Sequence, residues 1–281
     1  MNHRTCTAIV CAYNEERTLA GVLYALIDSP QIDKIVVVDD GSSDGTPGIL
    51  RSFEGRDDVL PIRLSENKGK GYAMAEGISI ARGELLLFVD GDLLNLTSHF
   101  IEQVLHPIRN GEADMVIGYP VRGEGWAWRI NPLRPLSGER ALFRTDILPL
   151  LDAIRKSRFG VETLINLHYC KEGKRIRHVP LQGLIHPIKL EKTSPTDALG
   201  LYAQEASQIA ETIIRNRALA MSAFGLDRAG IRGRCSRLAE QLSLKGDASL
   251  LRRSYMDIMP AQFEWLSSWR QRSIRQRQRK S

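Results

Sequence analysis

Lys34-Ile35-Val36-Val37-Val38-Asp39-Asp40-Gly41-Ser42 is the stretch on which the fold turns. Four β-branched residues in succession suit a strand buried on both faces, as in a parallel sheet covered by helices, and the two carboxylates and glycine that follow end it in a turn. The same grammar recurs on either side. Thr7–Cys11, Val59–Leu64, Glu84–Asp90 and Asp114–Gly118 read as further strands, and Glu15–Ile27, Pro47–Phe53, Gly71–Ala81 and Ser98–Asn110 as the helices between them. Thr46 is expected to cap the second helix, with Pro47 in its first turn. Alternation of this kind over about 120 residues predicts an α/β fold with a Rossmann-like, mainly parallel central sheet flanked by helices.

After Tyr119 the alternation breaks. Val121–Gly138 carries Trp126, Trp128 and two prolines and reads as a substrate-covering loop. Helical pattern returns at Asp146–Lys156 and Glu162–Lys171, a strand is expected at Lys174–Pro180, and Pro195–Phe224 reads as a long helix. The division predicted is a first part over 1–120, a second part of the same domain over 121–195, and a helical C-terminal extension with a basic tail over 196–281.

The chain has 281 residues, 43% hydrophobic and 26% charged, enough for one sizeable core. Neither a membrane-spanning run nor a signal-peptide pattern is found, so a soluble cytosolic protein is expected. Cys6, Cys11, Cys170 and Cys235 have no metal-ligand spacing and read as reduced thiols. The net charge of +6 equals that of Arg270–Ser281, which holds five arginines, one lysine and no acid. The body is therefore balanced, which argues against a nucleic-acid partner, and the tail is either a solvated end or a contact for anionic lipid.

Chemistry-bearing residues collect at predicted strand ends, where open α/β sheets place ligands. Phe88-Val89-Asp90-Gly91-Asp92 ends a strand in two carboxylates that can serve a divalent cation and a sugar or ribose hydroxyl, with Gly91 permitting close backbone approach. Asn67-Lys68-Gly69-Lys70-Gly71 opens a helix, and free N–H groups, the helix dipole and a lysine suit a pyrophosphate. No GxxxxGK[ST] or GxGxxG occurs there, which removes support for the usual triphosphate and dinucleotide sites.

In their order, AYNEE, VVVDDGSSDGT, NKGKGYA and FVDGD resemble the nucleotide-diphosphate-sugar glycosyltransferases of family 2 and the related retaining glucosyl-3-phosphoglycerate and mannosylglycerate synthases, over about residues 5–190. The resemblance implies a GT-A fold, with a nucleotide-sugar-binding half over 1–120 and an acceptor-binding half over 121–195 of one domain. It implies that Ala12, Tyr13 and Glu15 line the base and ribose, that Asp40 accepts a hydrogen bond from the base edge, and that Lys70 approaches the pyrophosphate. Asp90 and Asp92 match the family's DxD around Gly91, where serine or alanine is usual, and Asp92 is the implied ligand of Mg²⁺ or Mn²⁺. Arg134-Pro135-Leu136-Ser137-Gly138-Glu139-Arg140 resembles a segment of the retaining synthases and also the PLSG of polyprenyl-phosphate sugar transferases. Phe159-Gly160-Val161-Glu162 resembles the retaining group's GYGVE, and His186 falls where that group supplies a metal-binding histidine.

The implied reaction moves a hexose from a UDP- or GDP-sugar to a hydroxyl acceptor. In an inverting enzyme Glu139 is the nearest candidate for the base; in a retaining one the leaving phosphate accepts the proton, and Glu139 and Glu162 orient sugar and acceptor. For a small anionic acceptor such as (phospho)glycerate, Arg134, Arg140 and Arg144 are the nearest cations. A polyprenyl phosphate at the membrane surface is the competing acceptor, and self-association is left open. A nucleotidyltransferase lacks its GxGxR loop here, and a non-catalytic sugar-binding module would not require both the DxD and Lys70.

Overall fold

The computed structural model describes residues 4–121, 137–157, 160–185, 214 and 216. The sheet and the site lie in the first of two compact units, Met1–Tyr169 with Gly173–Arg215. Its elements run β1 (Cys6–Ala12), α1 (Leu19–Ile27), β2 (Lys34–Asp39), α2 (Thr46–Arg51), β3 (Val59–Arg63), α3 (Lys70–Ile80), β4 (Leu85–Asp90), α4 (Ser98–Arg109), β5 (Met115–Val121), β6 (Arg140–Phe143), α5 (Arg144–Ile147), α6 (Leu151–Arg155), α7 (Val161–Lys171) and β7 (Ile176–Gln182).

The seven strands are ordered β3-β2-β1-β4-β6-β5-β7. β3, β2, β1 and β4 pair in parallel, β6 pairs antiparallel with both β4 and β5, and β7 runs parallel to β5. From β1 the chain steps outward through β2 to β3, then returns with β4 to the other flank of β1. That reversal opens a crevice at the carboxyl ends of β1 and β4.

Helices cover both sheet faces, as the unbroken apolar strands require. Ile35 and Val37 belong to the main core with Leu19, Val22, Leu23 and Leu26 of α1 and Ile101, Val104, Leu105 and Ile108 of α4, both sets at helical spacing. The alternate residues Val36 and Val38 pack with Ala73 of α3 on the opposite face. Each such side chain, taken fully from water, contributes about 1.5–3 kcal/mol.

Three local expectations need correction. Thr46 is the first residue of α2 rather than its cap; its hydroxyl accepts the Glu15 N–H at 2.9 Å, while the Asp44 carboxylate accepts the Thr46 N–H at 3.0 Å. The expected helix over 146–156 is two short helices joined by a 3-10 turn at Leu148–Leu150, because Pro149 has no N–H to continue a helical ladder. Strand β6 was not foreseen: it has only four residues and begins with a buried arginine, so no apolar run announces it. The expected loop over 121–138 lies mostly outside the described residues, as do the helix over 195–224 and the basic tail. Among the described residues no helix is long and apolar enough to cross a membrane.

Candidate active site

The crevice is built by stitching together the loops that leave β1 and β2. The Asp40 N–H donates to the Ala12 carbonyl at 2.8 Å, the Asn14 N–H to Ser42 Oγ at 2.9 Å, and the Ser43 N–H to Asn14 Oδ1 at 2.9 Å. Asn14 holds a left-handed φ of 57°, a conformation that asparagine tolerates better than most side chains. Ala12 is buried at the end of β1 and Tyr13 stands 46% exposed beside it, so an aromatic face is available to a ligand. Glu15 turns inward: Thr18 Oγ1 lies 3.3 Å from its Oε2 and 2.9 Å from the Gly91 carbonyl oxygen, linking the NEE segment to the Asp-Gly-Asp turn.

Asp40 does more here than the sequence suggested. It is buried, and its two carboxylate oxygens accept the Lys68 and Gly69 N–H groups at 2.8 Å each. Burial pushes its carboxyl above the usual range, while these two bonds pull the other way. Asp40 thus clasps the NKGKG turn at the start of α3. The turn in turn comes so close to Gly41 that a Cβ there would lie 2.4 Å from the Glu66 carbonyl carbon, and Gly41 has a φ of 72°. Asp40→Asn swaps an acceptor oxygen for a donor facing one of those amides, so it is expected to cost about 1–3 kcal/mol. Thermal melting should record the loss, and calorimetric titration with UDP should record weaker binding.

Lys70, the first residue of α3, extends its ammonium between two elements that are distant in sequence. Nζ lies 2.7 Å from Asp90 Oδ1 at the end of β4 and 2.8 Å from Glu162 Oε1 in the first turn of α7. Burial alone would push this ammonium down; Asp90 and Glu162 hold it well above its ordinary value. Glu162 is itself buried, at a helix N-terminus that favours its charge.

The remaining wall comes from the segment entering β6. Gly138 lies against Asp90 so closely that a Cβ would stand 2.3 Å from Asp90 Oδ2. Glu139 is buried and accepts a hydrogen bond from the Ser137 hydroxyl. Asp92 is half-buried two residues beyond the end of β4 and two before Leu94, whose backbone bridges to Ile185 with N–O distances of 2.8 and 3.2 Å. His186 follows Ile185 in sequence and lies outside the described residues, as do Arg134 and Phe159.

Two arginines are not placed for an anionic acceptor. Arg140 is fully buried beneath the site. Arg144 follows β6, and its N–H donates to the Glu84 carbonyl at the opposite end of β4 from Asp90, about 20 Å away along the strand. Burial pushes the thiols of Cys6 and Cys11 up to about 12.

Among the described residues no three His, Cys, Asp or Glu side chains form a complete metal cage. The donors at the β4 end are hard carboxylate oxygens, which suit Mg²⁺ or Mn²⁺, cations of the kind commonly held by one or two carboxylates together with substrate phosphates. The residues present fit such a cation.

The sequence profile of Glycosyl transferase family 2 matches residues 7–180, which hold all seven strands but the first residue of β1 and the last two of β7. The chain is 32% identical over 117 residues to the dodecaprenyl-phosphate galacturonate synthase of Rhizobium johnstonii, covering 40% of this chain and 34% of that one. It is 28% identical over 123 residues to the glucosyl-3-phosphoglycerate synthase of Mycobacterium tuberculosis, covering 41% and 37%. These matches thus span little more than a third of the length of the curated relatives. The structure of that synthase in complex with phosphoglyceric acid superimposes with a TM-score of 0.58 at 23% identity, over 75% of this chain and 79% of that one, and shows the same fold. With the profile covering more than half of the sequence, the chain belongs to Glycosyl transferase family 2.

Proposed function

We propose that the protein is a metal-dependent glycosyltransferase that moves a hexose from a UDP- or GDP-sugar to a hydroxyl on a small anionic acceptor such as (phospho)glycerate. The observation that carries this reading is the convergence of Lys70, Asp90 and Glu162 at the crevice between β1 and β4. The nucleotide would lie over Ala12, Tyr13, Glu15 and Asp40, and the sugar near Glu139 and Glu162, with residues up to about 120 forming the donor half and 121–195 the acceptor half. Asp92, with Asp90 beside it and His186 completing the set, would hold Mg²⁺ or Mn²⁺, which on binding neutralises charge on the diphosphate.

In the transfer, the acceptor oxygen bonds to the anomeric carbon as the bond from that carbon to the β-phosphate oxygen breaks, and the diphosphate leaves with the electron pair. Lys70 supplies a fixed positive charge where that negative charge develops. In the retaining course the acceptor proton passes to the departing phosphate, and Glu139 and Glu162 orient the sugar and the acceptor. The GVE match at Glu162 favours this course, and the M. tuberculosis synthase, solved with Mn²⁺, UDP and glucosyl-3-phosphoglycerate, supports the acceptor class.

A thermal-shift panel of UDP-, GDP- and ADP-sugars with and without Mn²⁺ tests the donor. A true donor at a hundredfold excess over its dissociation constant stabilises by about 2.7 kcal/mol. If no nucleotide sugar raises the melting temperature above that with Mn²⁺ alone, the reading is wrong.

A second reading is favoured by the similarity to a dodecaprenyl-phosphate galacturonate synthase: a polyprenyl-phosphate acceptor, with the basic tail holding the protein at the cytoplasmic face of a membrane. Each Lys or Arg near an anionic surface contributes about 1 kcal/mol, so deleting residues 270–281 would then release the protein from anionic vesicles. The expected result is that truncation leaves transfer to a soluble acceptor unchanged. Joint loss of vesicle binding and activity, with the fold intact, would establish the lipid acceptor instead.

A further inference from the structure

Arg140 is the one charged side chain among the described residues with no exposed surface that also lies beside the site; Asp39, equally buried, sits at the end of β2. A buried guanidinium is costly unless its hydrogen bonds and counter-charges are supplied. Nη2 donates to the Ser137 carbonyl and Nη1 to Asn166 Oδ1 at 3.3 Å. Ser137 begins the segment that carries Gly138 and Glu139 against Asp90, and Asn166 stands one helical turn after Glu162 on α7. Three carboxylates act electrostatically on the guanidinium: Glu162, Asp90 and Glu139. Each of them comes from a different stretch of the chain, and among the described residues no strand pairing joins the Ser137–Glu139 segment to the start of α7.

Lys70 cannot hold this group together during turnover. It counters Asp90 and Glu162 from the open side of the crevice, and its side chain keeps about a fifth of its exposure. Once a diphosphate claims that ammonium, Glu162 and Asp90 lose part of their counter-charge at the moment when the sugar must be held still. A second cation on the closed side of the cluster removes that conflict.

We infer that Arg140 is a positioning residue for the transfer: from beneath the crevice it locks the Ser137–Glu139 segment to the first turns of α7 and acts as the permanent counter-ion of Glu139 and Glu162, leaving Lys70 able to serve the diphosphate. This rests on the glycosyltransferase reading and adds a division of labour between two cations. Arg140 touches neither donor nor acceptor. Its removal displaces carboxylates that do, and a misplacement near 1 Å can cost about a hundredfold in rate.

The test compares Arg140→Met, Arg140→Lys and Asn166→Leu with the parent. The readouts are calorimetric binding of UDP with Mn²⁺, melting temperature, and kcat and KM with whichever nucleotide sugar the thermal-shift panel selects. Arg140→Met is expected to keep UDP affinity within about threefold while kcat falls by about 30- to 100-fold. Arg140→Lys, which restores the charge without the fork, should recover part of that kcat, and Asn166→Leu should lose about 3- to 10-fold. A folded Arg140→Met with kcat within twofold of the parent overturns the inference, as does UDP affinity falling in step with kcat. Should Arg140→Met fail to fold, unchanged kcat in both Arg140→Lys and Asn166→Leu overturns it equally. A parent protein that binds no nucleotide sugar would instead refute the underlying function, so the two failures are distinct.

Discussion

Asp92→Asn is expected to lower metal-dependent turnover by about a thousandfold, or about 4 kcal/mol of barrier, with the melting temperature almost unchanged. The amide keeps the shape of the side chain and removes the charge that attracts a hard cation. Asp92 is only half-buried and lies beyond the end of β4, so the substitution leaves the sheet's core packing untouched. Steady-state rates across an Mn²⁺ titration and a parallel melting curve check both halves of the expectation. Turnover like that of the parent at saturating Mn²⁺ would refute the assignment of the cation to this turn.

Lys70→Met should be the more damaging change for stability. It leaves Asp90 and Glu162 sharing a crowded pocket without their common counter-ion, and breaking a buried pair in this way costs about 3–5 kcal/mol. The residual exposure of Lys70 places the expected loss near the lower end, about 3 kcal/mol. Adding Glu162→Gln removes one of the stranded charges, so the double variant should be more stable than Lys70→Met alone, with a coupling of about 1–3 kcal/mol between the two sites. Activity should not follow stability: both variants lack the fixed charge that the proposed function sets against the leaving diphosphate, so a loss of about a hundredfold or more is expected in each. Chemical denaturation of the four proteins, with kcat/KM measured on each, separates the two effects. Additive stabilities would mean that Lys70 and Glu162 do not act as a pair.

The readable part of this molecule is the part written in unbroken strands. Val36–Val38 and Leu85–Val89 have no polar residue to accommodate, so their burial on both faces follows from composition alone, and Asp39, Asp40 and Asp90 fall where those strands must end. The candidate residues Tyr13, Glu15, Lys70 and Asp90 could be singled out for the same reason: each lies at or just after a strand end or opens a helix within the first ninety residues. Less was legible beyond Tyr119. β6 is too short to show a period, and its first residue is an arginine whose burial depends on Asn166 and on carboxylates far away in sequence. The clasp between Asp40 and the amides of Lys68 and Gly69 was equally hidden, because a backbone N–H leaves no mark in a sequence. Aspartates at strand ends that precede a glycine-rich turn are the signal by which such a clasp can be sought.

The antiparallel insertion of β6 also bears on how the chain is made. Residues 6–90 contain the whole parallel ladder β3-β2-β1-β4, which can pair as it leaves the ribosome. The outer flank of β4, however, awaits residues 140–143, which emerge some fifty positions later, about 3–10 s at ordinary rates of synthesis. For that interval the row of Leu85, Leu86, Leu87 and Phe88 offers open amides and carbonyls to any other strand. The nascent protein is thus most prone to aggregate with its four parallel strands already paired, and slowing translation between residues 90 and 140 should lower its soluble yield.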